Sequence, residues 1–333
     1  MIRATTFTGK SVAVFGLGAS GNATVQSLLA GGATVAAWDD SAAGRAAAEK
    51  AGVPLVDLTR ADWSQFSSLV LAPGVPLTHP EPHWVVLKER AADVEIIGDV
   101  EIFARERAAH CPEAPFIAIT GTNGKSTTTA LVAHILKSAG HDVQMGGNIG
   151  RAILTLDPPA QNRFHVIEMS SFQIDLTPTL KPTVGVLLNV TPDHLDRHGT
   201  IENYAAVKER LVQGADVASI GVDDDICLAI LERRLNAGLA CALSADRKLA
   251  PGYSMLGGEV VCSDATGLAV KLGDLAGVAT LRGKHNAQNA LAAISSVREC
   301  LARIGHKTDL NWQTALATFP GLAHRMEEIG NIG

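Results

Sequence analysis

Several absences narrow the class of this 333-residue chain before any motif is read. Its five cysteines (Cys111, Cys227, Cys241, Cys262 and Cys300) are an odd set with no C-x-x-C pair. That excludes a disulfide frame or a cysteine zinc site and suits reduced thiols in a cytoplasm. No long basic run occurs, and 28 basic against 34 acidic residues give a formal charge of -6. Nucleic acid and an anionic membrane surface are therefore not expected as principal partners. No uninterrupted apolar run approaches the roughly 18 residues of a spanning helix, so membrane insertion is not expected either. The opening MIRATTFTGKSVAVFGLG has only a short, glycine-interrupted apolar stretch and no small-residue cleavage site after it, unlike a secretory signal. Low-complexity tracts and a repeat period are also missing.

What is present describes a globular protein with ample material for cores: 47% hydrophobic residues, with Gly 32 and Pro 14. The length suits two domains. Short apolar runs alternate with helical patterns, which predicts parallel sheets covered by helices. SVAVFG, ATVAAWDD and SSLVLAPG read as strands of a first unit. PFIAIT, HVIEMS and TVGVLLNV read as the fully covered strands of a second. The polar HCPEAP, residues 110 to 115, reads as a linker. The expected class is α/β, with a Rossmann-like parallel-sheet domain over 1–111 and a phosphate-loop ATPase-type domain over 112–320.

GLGASG, residues 16 to 21, matches G-x-G-x-x-G directly after an apolar strand, and the acidic pair Asp39 and Asp40 closes the next strand. Such a loop brings backbone N–H groups up to a pyrophosphate at a helix N-terminus, and Asp39 could accept hydrogen bonds from a ribose. NAD is one candidate ligand, and a tight turn needing glycine only for packing is the other reading.

A second loop, FIAITGTNGKSTTTALVAHIL, departs from the usual G-x-x-x-x-G-K-[ST] pattern. Position 119 is isoleucine, and the first glycine comes at Gly121. It still joins a buried-type strand to a helix whose apolar positions Leu131, Val132, Ile135, Leu136 and Ala139 recur at three and four residues before Gly140. Gly121 and Gly124 allow N–H groups to wrap a phosphate, Lys125 supplies charge, and the Ser126 hydroxyl suits Mg²⁺. Neighbouring strand ends carry Glu168 and Ser170 in one case, Asp193 and His194 in another. A carboxylate after the buried-type Val166 and Ile167 needs a metal or a donor. His194 and His198 have the spacing of a zinc pair, but no second ligand cluster or HExxH pattern accompanies them. In GTIENYAAVKERLVQGA, Thr200 reads as an N-cap, and Lys208 falls on the stripe of Ile201, Ala205, Leu211 and Val212. Burial would favour its neutral amine, which can capture CO₂ as an anionic carbamate. A lysine that extends its head past the core edge is the alternative.

Together these residues resemble the Mur ligase family of ATP-dependent amide-bond-forming enzymes. TGTNGKSTTT, GNIG, NVTPDHLDRH, YAAVK, GKHNAQNALAA and FPGLAHR follow in family order across essentially the whole chain. EMSSFQ with the amino-terminal GLGASG resembles the branch that adds D-glutamate to UDP-N-acetylmuramoyl-L-alanine. The resemblance implies an acyl phosphate formed from ATP, with two Mg²⁺ ions. It implies that Gly121, Thr122, Asn123, Gly124, Lys125, Ser126 and Thr127 hold the nucleotide, with Asn286 and Asn289 at the adenine and Arg325 at a phosphate. Lys125, Glu168, His194 and Lys208 would be catalytic. Ser126, Glu168, His194 and a carbamylated Lys208 would hold metal. Ala19, Ser20, Gly21, Asp39, Gly74, Asn148, Ser170 and His194 would meet the UDP-substrate, so the first loop would hold UDP instead of NAD. A monomer acting on small molecules is implied. Asp40 and Ser41 do not match the residues expected beside Asp39. Family members continue past FPGLAHR into a D-glutamate-binding domain, and residues 321–333 read as the start of that linker. The chain is therefore expected not to complete the amide bond unaided. An NAD-linked oxidoreductase fused to a phosphate-loop domain and a non-catalytic UDP-sugar and nucleotide-binding unit are the competing readings.

Overall fold

The computed structural model describes residues 1–322. Its first sheet contains β1 (Ser11–Phe15), β2 (Thr34–Trp38), β3 (Ser68–Leu71) and β4 (Glu95–Ile97), all parallel, in the order β2-β1-β3-β4. The central β3 is buried along its whole length, as is β1 after its first residue. That two-sided burial explains why both read as continuous apolar runs and not as alternation. Strand β4 has only three residues, too short for a period to show in the sequence.

The second sheet has nine strands: β5 (Phe116–Thr120), β6 (Asp142–Gly147), β7 (Arg163–Glu168), β8 (Val184–Leu187), β9 (Val217–Gly221), β10 (Leu239–Ser244), β11 (Gly252–Leu256), β12 (Glu259–Ser263) and β13 (Ala269–Asp274). Their order is β13-β12-β11-β10-β9-β8-β5-β7-β6. The strands from β6 across to β11 are parallel, but β12 and β13 are antiparallel, which corrects the expectation of wholly parallel sheets. The cause is local. Gly257 and Gly258 both take positive φ (59° and 96°), and such a two-residue turn returns the chain as a hairpin with no helical crossover.

Helix Asp99–His110 lies between the sheets, so His110 belongs to a helix and the expected linker begins only at Cys111. Glu101, fully buried, accepts hydrogen bonds from Arg105 Nε (2.7 Å), Thr179 N (3.0 Å) and Thr179 Oγ1 (2.8 Å). Arg107 donates to the carbonyls of Ala114 (2.8 Å) and Lys181 (3.3 Å). These bonds fasten the helix to the second sheet's layer. Its first residue, Asp99, instead lines a small cavity with Gly16, Ser20 and Gly21 of the first glycine loop. The chain thus presents the carboxyl ends of β5, β7 and β8 on one edge, where ligands collect in parallel sheets.

Candidate functional site

The opening anomaly of the phosphate loop has a simple origin in the strand before it. Ile119 is a fully buried residue of β5, paired with Glu168 of β7 and Val186 of β8, so the loop cannot begin until Gly121. Gly121 and Gly124 both take positive φ (154° and 85°), and helix Lys125–Ser138 starts directly after. At Gly124 a Cβ would overlap the Asn289 Oδ1, so a side chain there would displace Asn289 and strain a backbone at positive φ. Lys125 Nζ folds back to donate to the carbonyls of Gly121 (3.0 Å) and Thr122 (2.8 Å). Ser126 and Thr127 occupy the first turn of the helix, half-buried.

Helix Ile201–Gln213 begins at Thr200, whose hydroxyl accepts from Asn203 N as its N-cap (3.2 Å). It buries Tyr204, Ala205, Leu211 and Val212 and, on the same face, Lys208, which is only 1% exposed. The Lys208 ammonium does not reach water past the core edge. It donates to Gly121 O (2.9 Å) and Thr120 Oγ1 (3.2 Å) and lies 4.6 Å from the centre of the Tyr204 ring. Two lysines therefore share one carbonyl, that of Gly121. Burial foremost, and then the nearby charge of Lys125, lowers the Lys208 pKa to about 7.

Across the loop, Glu168 ends β7 and is 1% exposed. Its Oε1 accepts from Asn148 Nδ2 (2.8 Å), and Asn148 N donates to the Glu168 carbonyl (2.9 Å). Its Oε2 is buried and has no hydrogen-bond partner among the described residues. A buried carboxylate oxygen left unpartnered is unfavourable by about 1–3 kcal/mol, and a hard cation is the partner that chemistry supplies. The oxygen donor set of Glu168 and Ser126 fits Mg²⁺. Among the described residues no group of three or more His, Cys, Asp and Glu is gathered to hold a metal.

The turn after β8 carries His194 in a left-handed conformation (φ 51°, ψ 32°), half-exposed, with its ring 5.1 Å from Phe172 and 6.4 Å from Tyr204. His198 is buried and committed elsewhere. Its Nε2 meets Ser171 Oγ at 2.8 Å, and its ring stacks on Phe172 at 5.3 Å. Ser170 caps helix Ser171–Asp175 in a reciprocal arrangement with Gln173, so the SSFQ stretch shapes this corner as well as facing it. Asn289 lies under the phosphate loop, where its Oδ1 accepts from Thr128 Oγ1 (3.2 Å) and its Nδ2 donates to Asn286 Oδ1 (3.1 Å). Asn286 is one turn nearer the helix start and half-exposed. Arg325 lies outside the described residues.

At the first loop, Gly21 starts the helix so close to β1 that a Cβ would overlap the Gly16 carbonyl. Ala19 and Ser20 form the first turn of helix Ala19–Ala30. Asp39 accepts from Leu17 N through Oδ2 (2.6 Å), bracing the loop, and from Ser41 N through Oδ1 (2.8 Å). The two residues that depart from the family pattern have structural work. Asp40 takes His83 Nε2 (2.9 Å) and Trp84 Nε1 (3.1 Å), and Ser41 caps helix Ala42–Lys50. The Gly74 carbonyl and that of Val75 accept from Arg197 (3.0 and 2.9 Å), one residue before His198, across from the second sheet's layer.

Sequence reasoning passed over Asn189, Gln288 and Arg197. Asn189 bonds the glycine loop from the side and Gln288 bonds Asn189 in turn, and the one available signal was polarity: Asn189 interrupts the apolar run VGVLLNV at the end of a strand.

Comparison with known proteins bears on this arrangement. The Mur ligase middle domain matches residues 119–297. A UDP-N-acetylmuramoylalanine–D-glutamate ligase of Chelativorans sp. (strain BNC1) is 57% identical over 334 residues, covering 100% of this chain and 70% of that protein. The protein of the same name from Brucella abortus (strain 2308) is 55% identical, with the same coverage. Among solved structures, the UDP-N-acetylmuramate:L-alanyl-gamma-D-glutamyl-meso-diaminopimelate ligase of Neisseria meningitides shares the fold with a TM-score of 0.59 at 18% identity, over 94% of this chain and 99% of that one. A UDP-N-acetylmuramate-alanine ligase from Thermotoga maritima does so at 0.53 and 19%, over 96% and 70%.

Proposed function

This chain belongs to the Mur ligase family, and from that membership we propose that it is an ATP-dependent ligase adding D-glutamate to UDP-N-acetylmuramoyl-L-alanine in peptidoglycan synthesis. Relatives of that name at 55–57% identity over the chain support the choice of substrates. The observation that carries the chemistry is the pairing, around one glycine loop, of two lysines on the Gly121 carbonyl with a buried oxygen of Glu168 that has no partner among the described residues.

A carboxylate is a poor acyl donor until one oxygen becomes a leaving group. The substrate carboxylate oxygen attacks the γ-phosphorus of ATP, the bond to ADP breaks, and an acyl phosphate results. The D-glutamate amine then adds to the carbonyl carbon and loses a proton, and the tetrahedral adduct collapses to amide and inorganic phosphate. Every reactant in the first step is an anion, so positioning and cationic charge carry most of the catalysis. Asn189 engages the N–H groups of Thr122 and Asn123, and the other loop N–H groups up to Thr127 hold the phosphates with Lys125. Ser126 and Glu168 would hold one Mg²⁺, and His194 with Lys208 a second, supplying charge to offset repulsion between carboxylate and nucleotide. With a pKa of about 7, Lys208 is substantially neutral near physiological pH. Its nitrogen can then bond to CO₂ and release a proton, which turns a cation into an anionic ligand.

Residues 1–111 bind the UDP-substrate in this reading, through Ala19, Ser20, Gly21, Asp39 and Gly74. Asn148, Ser170 and His194 meet its far end, and residues 112–320 bind ATP with Asn286 and Asn289 toward the adenine. Arg197 bridging to Gly74 and Val75 supports the two parts acting on one substrate. Five unpaired cysteines suit a cytoplasmic setting. The test is transfer of labelled D-glutamate to UDP-N-acetylmuramoyl-L-alanine by this chain, with one ADP and one phosphate formed per amide. ADP release independent of the UDP-sugar, or equal use of L-glutamate, would contradict the proposal. Binding of both ligands without transfer would agree with the expectation that this chain does not complete the amide bond unaided.

A further inference from the structure

The displaced-glycine loop is held by a relay of two carboxamides, and this rests on the nucleotide role given to that loop above. Asn189 lies just past the end of β8, alongside the loop. Its main-chain carbonyl accepts from Thr122 N (2.9 Å), its Oδ1 accepts from Asn123 N (2.9 Å), and its Nδ2 reaches back to the Asn123 carbonyl (3.3 Å). The same Nδ2 donates to Gln288 Oε1 (2.9 Å), and Gln288 Nε2 donates to the Leu188 carbonyl (2.9 Å). Both ends of the relay are main-chain groups of fixed polarity, an N–H at Asn123 and a C=O at Leu188. Only two amides in series satisfy them, each turned one way.

The geometry of the helix that carries Gln288 adds a second grip. Asn289, the next residue, fills the space over Gly124 where a Cβ would stand. Helix Lys284–Arg303 therefore fixes the loop at two consecutive residues, Asn123 through Gln288 and Asn189, and Gly124 through Asn289. Gln288 is 8% exposed, which lowers the local dielectric and strengthens the link. A loop whose first glycine comes two places late has β5 running further toward the ligand, so its N–H groups must be aimed from the side. The neighbouring strand end performs that task.

We propose that Asn189 and Gln288 are positioning residues for ATP binding, setting the direction of the loop N–H groups without touching the reacting atoms. Asn189→Ala removes both side-chain bonds to Asn123 and the link to Gln288. Asn189→Asp keeps the acceptor for Asn123 N and sets a carboxylate oxygen against Gln288 Oε1. The measurement is calorimetric affinity of the native chain and both variants for Mg²⁺·ADP, with UDP-N-acetylmuramoyl-L-alanine titrated into each as a control on the other domain. Asn189→Ala should weaken ADP binding roughly tenfold, and Asn189→Asp by more, while UDP-sugar affinity stays within about twofold. ADP affinity within about twofold of native in both variants would overturn the positioning role, as would equal losses for both ligands, which would mean general damage. Failure of the native chain to bind ADP would instead defeat the nucleotide reading itself, and this inference with it.

Discussion

Replacing Lys208 by methionine separates the physical consequence of its burial from its chemical role. The side chain keeps its length and loses its charge. In the native protein the folded pKa of about 7 lies below the ordinary 10.5, because burial and then Lys125 disfavour the ammonium. A base with a lowered folded pKa binds fewer protons folded than unfolded, so stability rises with pH between those two values. The whole gap corresponds to ~5 kcal/mol, fully present as a destabilisation below about pH 7. Between pH 7 and pH 9 it should shrink by about 2 kcal/mol, while the methionine variant feels none of it. Cys227, Cys241 and Cys300 act in the opposite direction, since burial pushes their thiols up and lowers stability in alkali. The difference between the two proteins cancels Cys241 and Cys300, but Cys227 feels the Lys208 charge, which lowers its pKa, so part of its effect stays in the difference near pH 9. The assay is urea unfolding of native and Lys208→Met chains at pH 6, 7, 8 and 9 in CO₂-free buffer. The stability of the variant relative to native should fall by about 2 kcal/mol from pH 7 to pH 9. A difference that stays flat across that range would refute the reasoning. With ¹³C-bicarbonate added, a carbamate resonance should grow in the native protein and be missing from the variant.

Glu168→Gln removes the carboxylate whose Oε2 has no partner among the described residues. Mg²⁺ should raise the melting temperature of the native chain and leave that of the variant unchanged, as followed by calorimetric melting. Gly124→Ala places a Cβ against Asn289 at a φ of 85°, with backbone strain of roughly 1–2 kcal/mol before the clash. Loss of measurable ADP binding with intact UDP-sugar binding is the expected titration result. Asp99 is a buried acid whose pKa burial raises to about 6 from 3.8, so stability present at low pH is lost as pH rises through 6. Asp99→Asn should gain up to about 3 kcal/mol over native at pH 8 and nothing at pH 3, read from urea unfolding at both.

The parts of the fold legible in the sequence are those buried on both faces. β1, β3, β5, β7 and β8 announce themselves as apolar runs because their register leaves no side open to water. The antiparallel β12 and β13 were missed: Gly257-Gly258 is a two-residue hairpin signal joining β11 to β12, but β13 returns through residues 264–268, which carry no such dipeptide. Lys208 could be singled out because a charge on an apolar stripe breaks a pattern. Of its partners, the Tyr204 ring lies four residues earlier on the same helix, but the Gly121 carbonyl and Thr120 hydroxyl come to it from tertiary packing and could not be read. His198 shows the reverse limit. Its spacing from His194 suggested a metal pair, and only the fold reveals that Ser171 occupies its Nε2. Asn189 was hidden for the same reason: its bonds run to main-chain atoms of the loop and to Gln288, 99 residues away in sequence.

The central claim is that the first glycine loop serves a UDP-sugar and the second an ATP in one ligase. Titrating UDP-N-acetylmuramoyl-L-alanine into this chain, with NADH as the parallel titrant, tests it most directly. Saturable binding of the UDP-sugar at one site per chain, with no heat from NADH, is the predicted result. Binding of NADH with none of the UDP-sugar would contradict it, and Gly16 to Gly21 would then belong to an oxidoreductase.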